Sequence, residues 1–171
     1  MGGKTNFFGN KNIEKHALTL KTTYDAITIR NHIMQTFENF LSSNKDKKEG
    51  LLNFVIVGAG PTGVEMAGAL AEIKKNVLPL DFHRIDFSNL RIIRIEGSKH
   101  TLNSMSNSAK IASKKYLLEM GIEVMTKTCV KDYDGEHLVL NNGELIKTKT
   151  VIWAAGITAN KVEGIFSYPH P

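Results

Sequence analysis

Hydrophobic positions along the chain fall into two alternating patterns. Within 53–57, which predicts a strand, Phe54–Val57 is a continuous apolar run, as a strand buried on both faces requires. Over residues 62–77, apolar and small residues recur three and four apart, which predicts a helix. Residues 90–96 predict a second strand, 107–120 a second helix stopped by Gly121, and 122–126 a third strand. A strand–helix–strand order of this kind predicts a parallel sheet covered by helices, and hence the α/β class. Cys129–Tyr133, His137–Leu140 and Glu144–Lys147 then alternate with period two. Asp134-Gly135 and Asn142-Gly143 join them with residues suited to tight hairpins, so the three runs predict an antiparallel meander. Thr150-Val151-Ile152-Trp153 returns as an apolar strand and ends at Ala154-Ala155-Gly156, with Trp153 read as core.

Upstream, residues 1–20 are polar and turn-rich around Asn6-Phe7-Phe8-Gly9-Asn10. Thr22 and Asp25 have the spacing of a capping box. The helix it opens carries Ile27, Ile33, Met34, Phe37, Phe40 and Leu41 on its apolar side. Ser42–Gly50 reads as a charged linker. Residues 1–50 are therefore a connecting segment with a helix, and 51–171 a nucleotide-binding domain with an insertion at 79–87.

Composition narrows the function classes. The net charge of +5 is scattered and lacks interleaved aromatics, which argues against a nucleic-acid partner. A single cysteine excludes an internal disulfide framework and any C-x-x-C pair, and Cys129 reads as a small buried hydrophobe in a strand. No apolar run reaches the roughly 18–20 residues of a membrane span, and Met1-Gly2-Gly3-Lys4 does not begin a signal peptide. These features imply a soluble, cytoplasmic chain. The six histidines are dispersed, so no metal site is expected, and no Ser, His and Asp set suggests hydrolysis.

The chemistry concentrates after the first strand, in Gly58-Ala59-Gly60-Pro61-Thr62-Gly63. In a G-x-G-x-x-G turn the first glycine makes the tight turn and the second lets backbone approach a pyrophosphate. The third packs helix on sheet, and the helix N-terminus offers N–H groups to the anion. Gly58, Gly60 and Gly63 thus predict a dinucleotide site. Glu96, at the end of the second strand, is placed to accept the adenosine ribose hydroxyls, which favours NAD(H) over its 2′-phosphorylated form. A surface carboxylate is the competing reading, and Lys99 and His100 nearby soften the preference. Thr62 has two readings, a hydroxyl for the pyrophosphate or the helix N-cap. Ala155 and Gly156 permit either backbone approach to a dinucleotide or close packing of strand on loop. Glu65, in the first turns of the helix, suits the helix dipole.

Val57–Glu72, with its P-T-G-V-E string, and Val151–Ile157, with W-A-A-G, together resemble the type II NADH dehydrogenases (NADH:quinone oxidoreductases) of the FAD-dependent pyridine nucleotide-disulfide oxidoreductase superfamily. Thr5–Asn10, Leu20–Thr22, Asp25-Ala26 and Arg30-Asn31 are similar to that family's connection out of its flavin domain. The resemblance implies a Rossmann-like FAD/NAD(P)-binding three-layer domain, the central NAD-binding part of a longer parent. It also implies that Glu65 reaches the nicotinamide end, with Pro61 and Thr62 lining the same face. In such a parent, hydride passes from NADH to FAD and on to a quinone. FAD would sit on a separate, earlier glycine loop, so none is expected on this chain, which alone is not competent for turnover. Any membrane contact would be made by the parent, peripherally on the inner face, through regions absent here, and a homodimer is compatible with this. Hydride chemistry belongs to the cofactors, so no acid–base catalyst is assigned. Two alternatives stand beside this reading. One is a flavoprotein reductase with a ferredoxin, sulfide or disulfide acceptor, and the other is a non-catalytic NADH-sensing module.

Overall fold

The computed structural model describes residues 3–44, 48–58 and 60–159. In chain order these form β1 (Gly3–Thr5), α1 (Lys11–His16), β2 (Leu18–Thr19), α2 (Thr23–Ser42), β3 (Asn53–Val57) and α3 (Pro61–Asn76). There follow α4 (Leu78–Asp81), a 3-10 turn at Phe87–Asn89, β4 (Arg91–Glu96), α5 (Asn107–Glu119) and β5 (Glu123–Thr126). The chain continues with β6 (Val130–Tyr133), β7 (His137–Leu140), β8 (Leu145–Lys147), β9 (Thr150–Trp153) and β10 (Ile157–Ala159).

Five strands make a parallel sheet in the order β2-β9-β3-β4-β5. Successive residues of β3 point to opposite faces, and both faces are covered. Phe54 and Ile56 join Ile29, Ile33 and Phe37 of α2, Leu70 of α3 and Leu117 of α5. Val55 and Val57 face the other way, with Trp153 of β9. They pack on Tyr133, Leu138, Leu140 and Ile146 of the antiparallel β6-β7-β8 meander, and on Ile13 of α1. The result is three layers: helices, parallel sheet and meander. That is the predicted Rossmann-like architecture.

The capping box opening α2 is complete. Thr22 accepts the Asp25 N–H, and the Asp25 carboxylate accepts the Thr22 N–H at 2.8 Å. Helix and strand ends otherwise differ from the predicted ones by about one residue.

Four expectations are corrected. The first 20 residues carry regular structure: α1, capped by the Asn10 side chain, and β2, which adds a fifth strand beside β9. β1 also pairs antiparallel with β10. Such short strands leave no periodic signal, because their stability comes from partners more than a hundred residues away. Ile27 is 52% exposed. The buried stripe of α2 runs through Ile29, Ile33, Thr36 and Phe37, and Ile27 lies round the helix from it. Cys129 is exposed. Strand pairing begins only at Val130, and Cys129 instead exchanges hydrogen bonds with Asn141 at the meander's open end. Finally, the 79–87 insertion is part of the core rather than an excursion. Leu78, Ile85 and Phe87 are buried, and the Phe37 ring lies 5.3 Å from those of both Phe82 and Phe87.

Candidate functional site

Val57 of β3 stands level with Ile95 of β4 on one side and Trp153 of β9 on the other. One residue further on, Gly58, Glu96 and Ala154 therefore lie in a row at the carboxyl edge of the sheet. Two backbone bonds pin the row: Gly58 N–H to the Ile95 carbonyl at 2.9 Å, and Ala154 N–H to the Val57 carbonyl at 2.8 Å. The chain leaves β3 through α3 toward β4, while β9 closes the other flank. This reversal of direction is where open α/β sheets hold ligands.

The glycines answer distinct local demands. Gly58 has φ +105°, and a Cβ there would lie 2.7 Å from the carbonyl carbon and oxygen of Ala154 and from the Ala155 nitrogen. Only a glycine lets β3 turn against the β9 exit. At Gly63 a Cβ would collide with the Gly58 carbonyl oxygen, so α3 seats directly on the turn. Gly60 faces open space, with no heavy atom within 4 Å of the Cβ position. Ala59 lies outside the described residues.

Gly60 is the N-cap of α3, with Pro61 at the first helical position. Thr62 therefore does not cap the helix. It lies exposed inside the first turn, and no side chain hydrogen-bonds the cap. The first regular bond is Val64 N–H to the Gly60 carbonyl, so the N–H groups before it have no intrahelical partner. Uncapped donors, the positive end of the helix dipole and a bare glycine are the features that let a helix N-terminus hold an anion.

Glu96 is half-buried at the end of β4. Its carboxylate accepts the Ser98 N–H at 2.6 Å, which fixes the side chain at the sheet edge. Lys99 and His100 follow on the exposed turn.

Thr62, Ala155 and Gly156 come together in a cavity of about 140 Å³, walled also by Trp153, Leu20, Lys21 and β1. Glu65 and Glu96 do not line it. Glu65 is exposed on α3 and makes no ion pair among the described residues. At Gly156, φ is +69° and a Cβ would sit 3.1 Å from Asn6 and Phe8, so this glycine admits the amino-terminal segment. Trp153 is core, 4% exposed, with its indole N–H on the Asn6 carbonyl at 3.0 Å. A larger apolar cavity of about 380 Å³ lies between α2, α3 and α4. No residue of the glycine turn lines it.

Arg94 is the functional candidate that pattern reading passed over. It is fully buried on the helix-facing side of β4, and its Nη2 donates to the Gly58 carbonyl at 3.2 Å. Burial lowers its pKa to about 10, against the opposing pull of Glu96, so it stays charged at neutral pH. The available signal was an arginine alternating with Ile92 and Glu96 inside an otherwise apolar strand. Among the described residues, no group of three or more His, Cys, Asp or Glu could hold a metal ion, and no helix is long and apolar enough to cross a membrane.

Residues 1–164 match the pyridine nucleotide-disulphide oxidoreductase family. The chain is 30% identical over 166 residues to the type II NADH:quinone oxidoreductase Ndh of Mycobacterium tuberculosis, covering 94% of this chain and 36% of that one. It is 30% identical over 159 residues to a probable NADH dehydrogenase of Dictyostelium discoideum, covering 92% of this chain and 35% of its relative. Among solved structures it resembles Plasmodium falciparum NDH2 in complex with NADH. The TM-score is 0.86 at 26% identity, over 92% of this chain and 33% of that one. The chain thus spans about a third of the length of the relatives it matches. It belongs to the pyridine nucleotide-disulphide oxidoreductase family.

Proposed function

We propose that this family member is the NADH platform of a flavin-dependent NADH:quinone oxidoreductase. One observation carries the reading: an uncapped α3 N-terminus at Gly60–Gly63, bare on its ligand side, stands in line with an acidic residue at the end of the next strand. The resemblance to an NADH-complexed relative supports it. In this arrangement the turn holds the pyrophosphate against the helix dipole. Glu96 accepts the adenosine ribose hydroxyls and disfavours a 2′-phosphate by like-charge contact. Thr62 and Ala155-Gly156, which share one cavity, would receive the nicotinamide, with Glu65 assigned to that end.

The bound nicotinamide supplies the hydride chemistry, and the protein's part is to hold and orient it. In this reading FAD and the quinone bind other parts of a longer parent protein.

Calorimetric titration of the chain tests the platform. NADH should bind more tightly than NADPH, and Glu96→Gln should narrow the gap. Equal or tighter NADPH binding by the wild type refutes the role of Glu96. In the full-length flavoprotein, Glu65→Gln should slow flavin reduction by NADH while leaving ADP-ribose affinity unchanged. Unaltered stopped-flow kinetics would reduce Glu65 to a partner of the helix dipole.

A further inference from the structure

We propose that Arg94 is a buried electrostatic support of the glycine turn, a positioning residue that holds the Gly58 carbonyl and keeps a fixed positive charge beneath the bound pyrophosphate. The inference rests on the dinucleotide reading above and deepens it. A charge at this place would make the turn favour ligands that carry phosphate.

Arg94 stands in the middle of β4, level with Ile56 of β3 and Val124 of β5, in the layer that packs against α3. Its side chain is fully buried. Nη2 reaches the Gly58 carbonyl, and a Cβ at Gly63 would lie 3.6 Å from the same nitrogen. The guanidinium therefore sits directly under the turn joining β3 to α3, on the sheet side of the anion surface. Nε and Nη1 have no hydrogen-bond partner among the described residues.

Packing does not explain an arginine here. The neighbouring buried positions of β4 are Ile92, Ile93 and Ile95, and an aliphatic side chain would fill the layer without burying a charge. Nor does an ion pair explain it. No carboxylate lies within ion-pair distance of Arg94 among the described residues, and the acidic group it feels is Glu96, two residues on. A buried cation without a buried counter-charge is unfavourable unless something compensates it. The bound pyrophosphate does so. The anion meets uncapped N–H donors from above and a permanent charge from below, in a medium that screens less than water.

Ligands that share adenosine but differ in phosphate separate this role from a structural one. Wild type, Arg94→Gln and Arg94→Lys of the chain are titrated with ADP-ribose and with adenosine, by calorimetry and amide chemical shifts, after circular dichroism has established folding. Arg94→Gln retains a donor for Gly58 and removes the charge. It should weaken ADP-ribose binding at least about tenfold and leave adenosine binding within about twofold, while Arg94→Lys should restore most of the lost affinity. If Arg94→Gln does not fold, Arg94→Met is scored by the same ratio. Loss of both ligands in parallel, or of neither, overturns the inference and leaves Arg94 as a strut for Gly58. A wild-type chain that binds neither ligand overturns instead the dinucleotide reading on which the inference stands.

Discussion

Two neighbouring glycines should respond in opposite ways to the same substitution. At Gly58 a methyl group would lie 2.7 Å from three backbone atoms of Ala154 and Ala155, and the residue would have to hold φ +105°. Backbone neighbours cannot swing aside as a flexible side chain can. Overpacking of this kind costs about 1–3 kcal/mol, and the strained backbone of order 1–3 kcal/mol more. The smaller entropy of an unfolded alanine chain returns about 0.4–1 kcal/mol. A net loss of about 3 kcal/mol corresponds, at about 2–4 °C per kcal/mol for a domain of this size, to a melting temperature lower by about 6–12 °C. Gly60→Ala adds the same methyl where no atom lies within 4 Å and φ is −69°. Its stability should fall by only about 1 kcal/mol, the cost of replacing glycine by alanine at an N-cap. The methyl, however, occupies the space through which the pyrophosphate reaches the helix N-terminus, so NADH affinity should fall at least about tenfold. Thermal melts followed by circular dichroism read the first quantity, and calorimetric titration the second. If the two variants melt alike, the steric account of the turn fails. If Gly60→Ala binds NADH as wild type does, the pyrophosphate does not lie there.

Two further predictions concern stability. Burial of His32, whose Nε2 lies 2.9 Å from the Thr150 hydroxyl, lowers its pKa. The unfolded chain therefore takes up a proton more readily, near the usual histidine value of about 6.5, and stability present above that pH is lost as pH falls toward the folded value. Melting temperatures at about pH 7.5 and about pH 5.5 should differ more for wild type than for His32→Gln, and equal differences would refute the assignment. Thr22→Ala removes half of the reciprocal cap on α2 and should cost about 1 kcal/mol, or about 2–4 °C in a thermal melt.

Elements with local signals were legible in the residues themselves. The Thr22–Asp25 cap is legible because its two bonds join residues three apart. Asp134-Gly135 and Asn142-Gly143 announce their hairpins because both glycines must take positive φ, +98° and +86° in the folded chain. The continuous apolar run of β3 reports a strand buried on both faces, and the glycine spacing after it marks the turn into α3. Backbone preference and side-chain period act within a few residues, so one short stretch of sequence contains the whole signal.

Other features depend on contacts between segments far apart in the chain. β2 is two residues long and is a strand because β9 lies beside it; neither residue advertises that partner. Cys129 is exposed because pairing starts one residue later, a matter of register. Thr62 lost the N-cap to Gly60 because α3 seats against the Gly58 carbonyl, which places the helix start at Pro61. The alignment of Gly58, Glu96 and Ala154 comes from the pairing of three strands far apart in sequence. Arg94 shows the same physics most clearly. In sequence it is one charged residue in an apolar strand, and its meaning depends on which carbonyl the fold sets above it. Contacts between distant segments are fixed by packing the whole core at once, and no local window contains them.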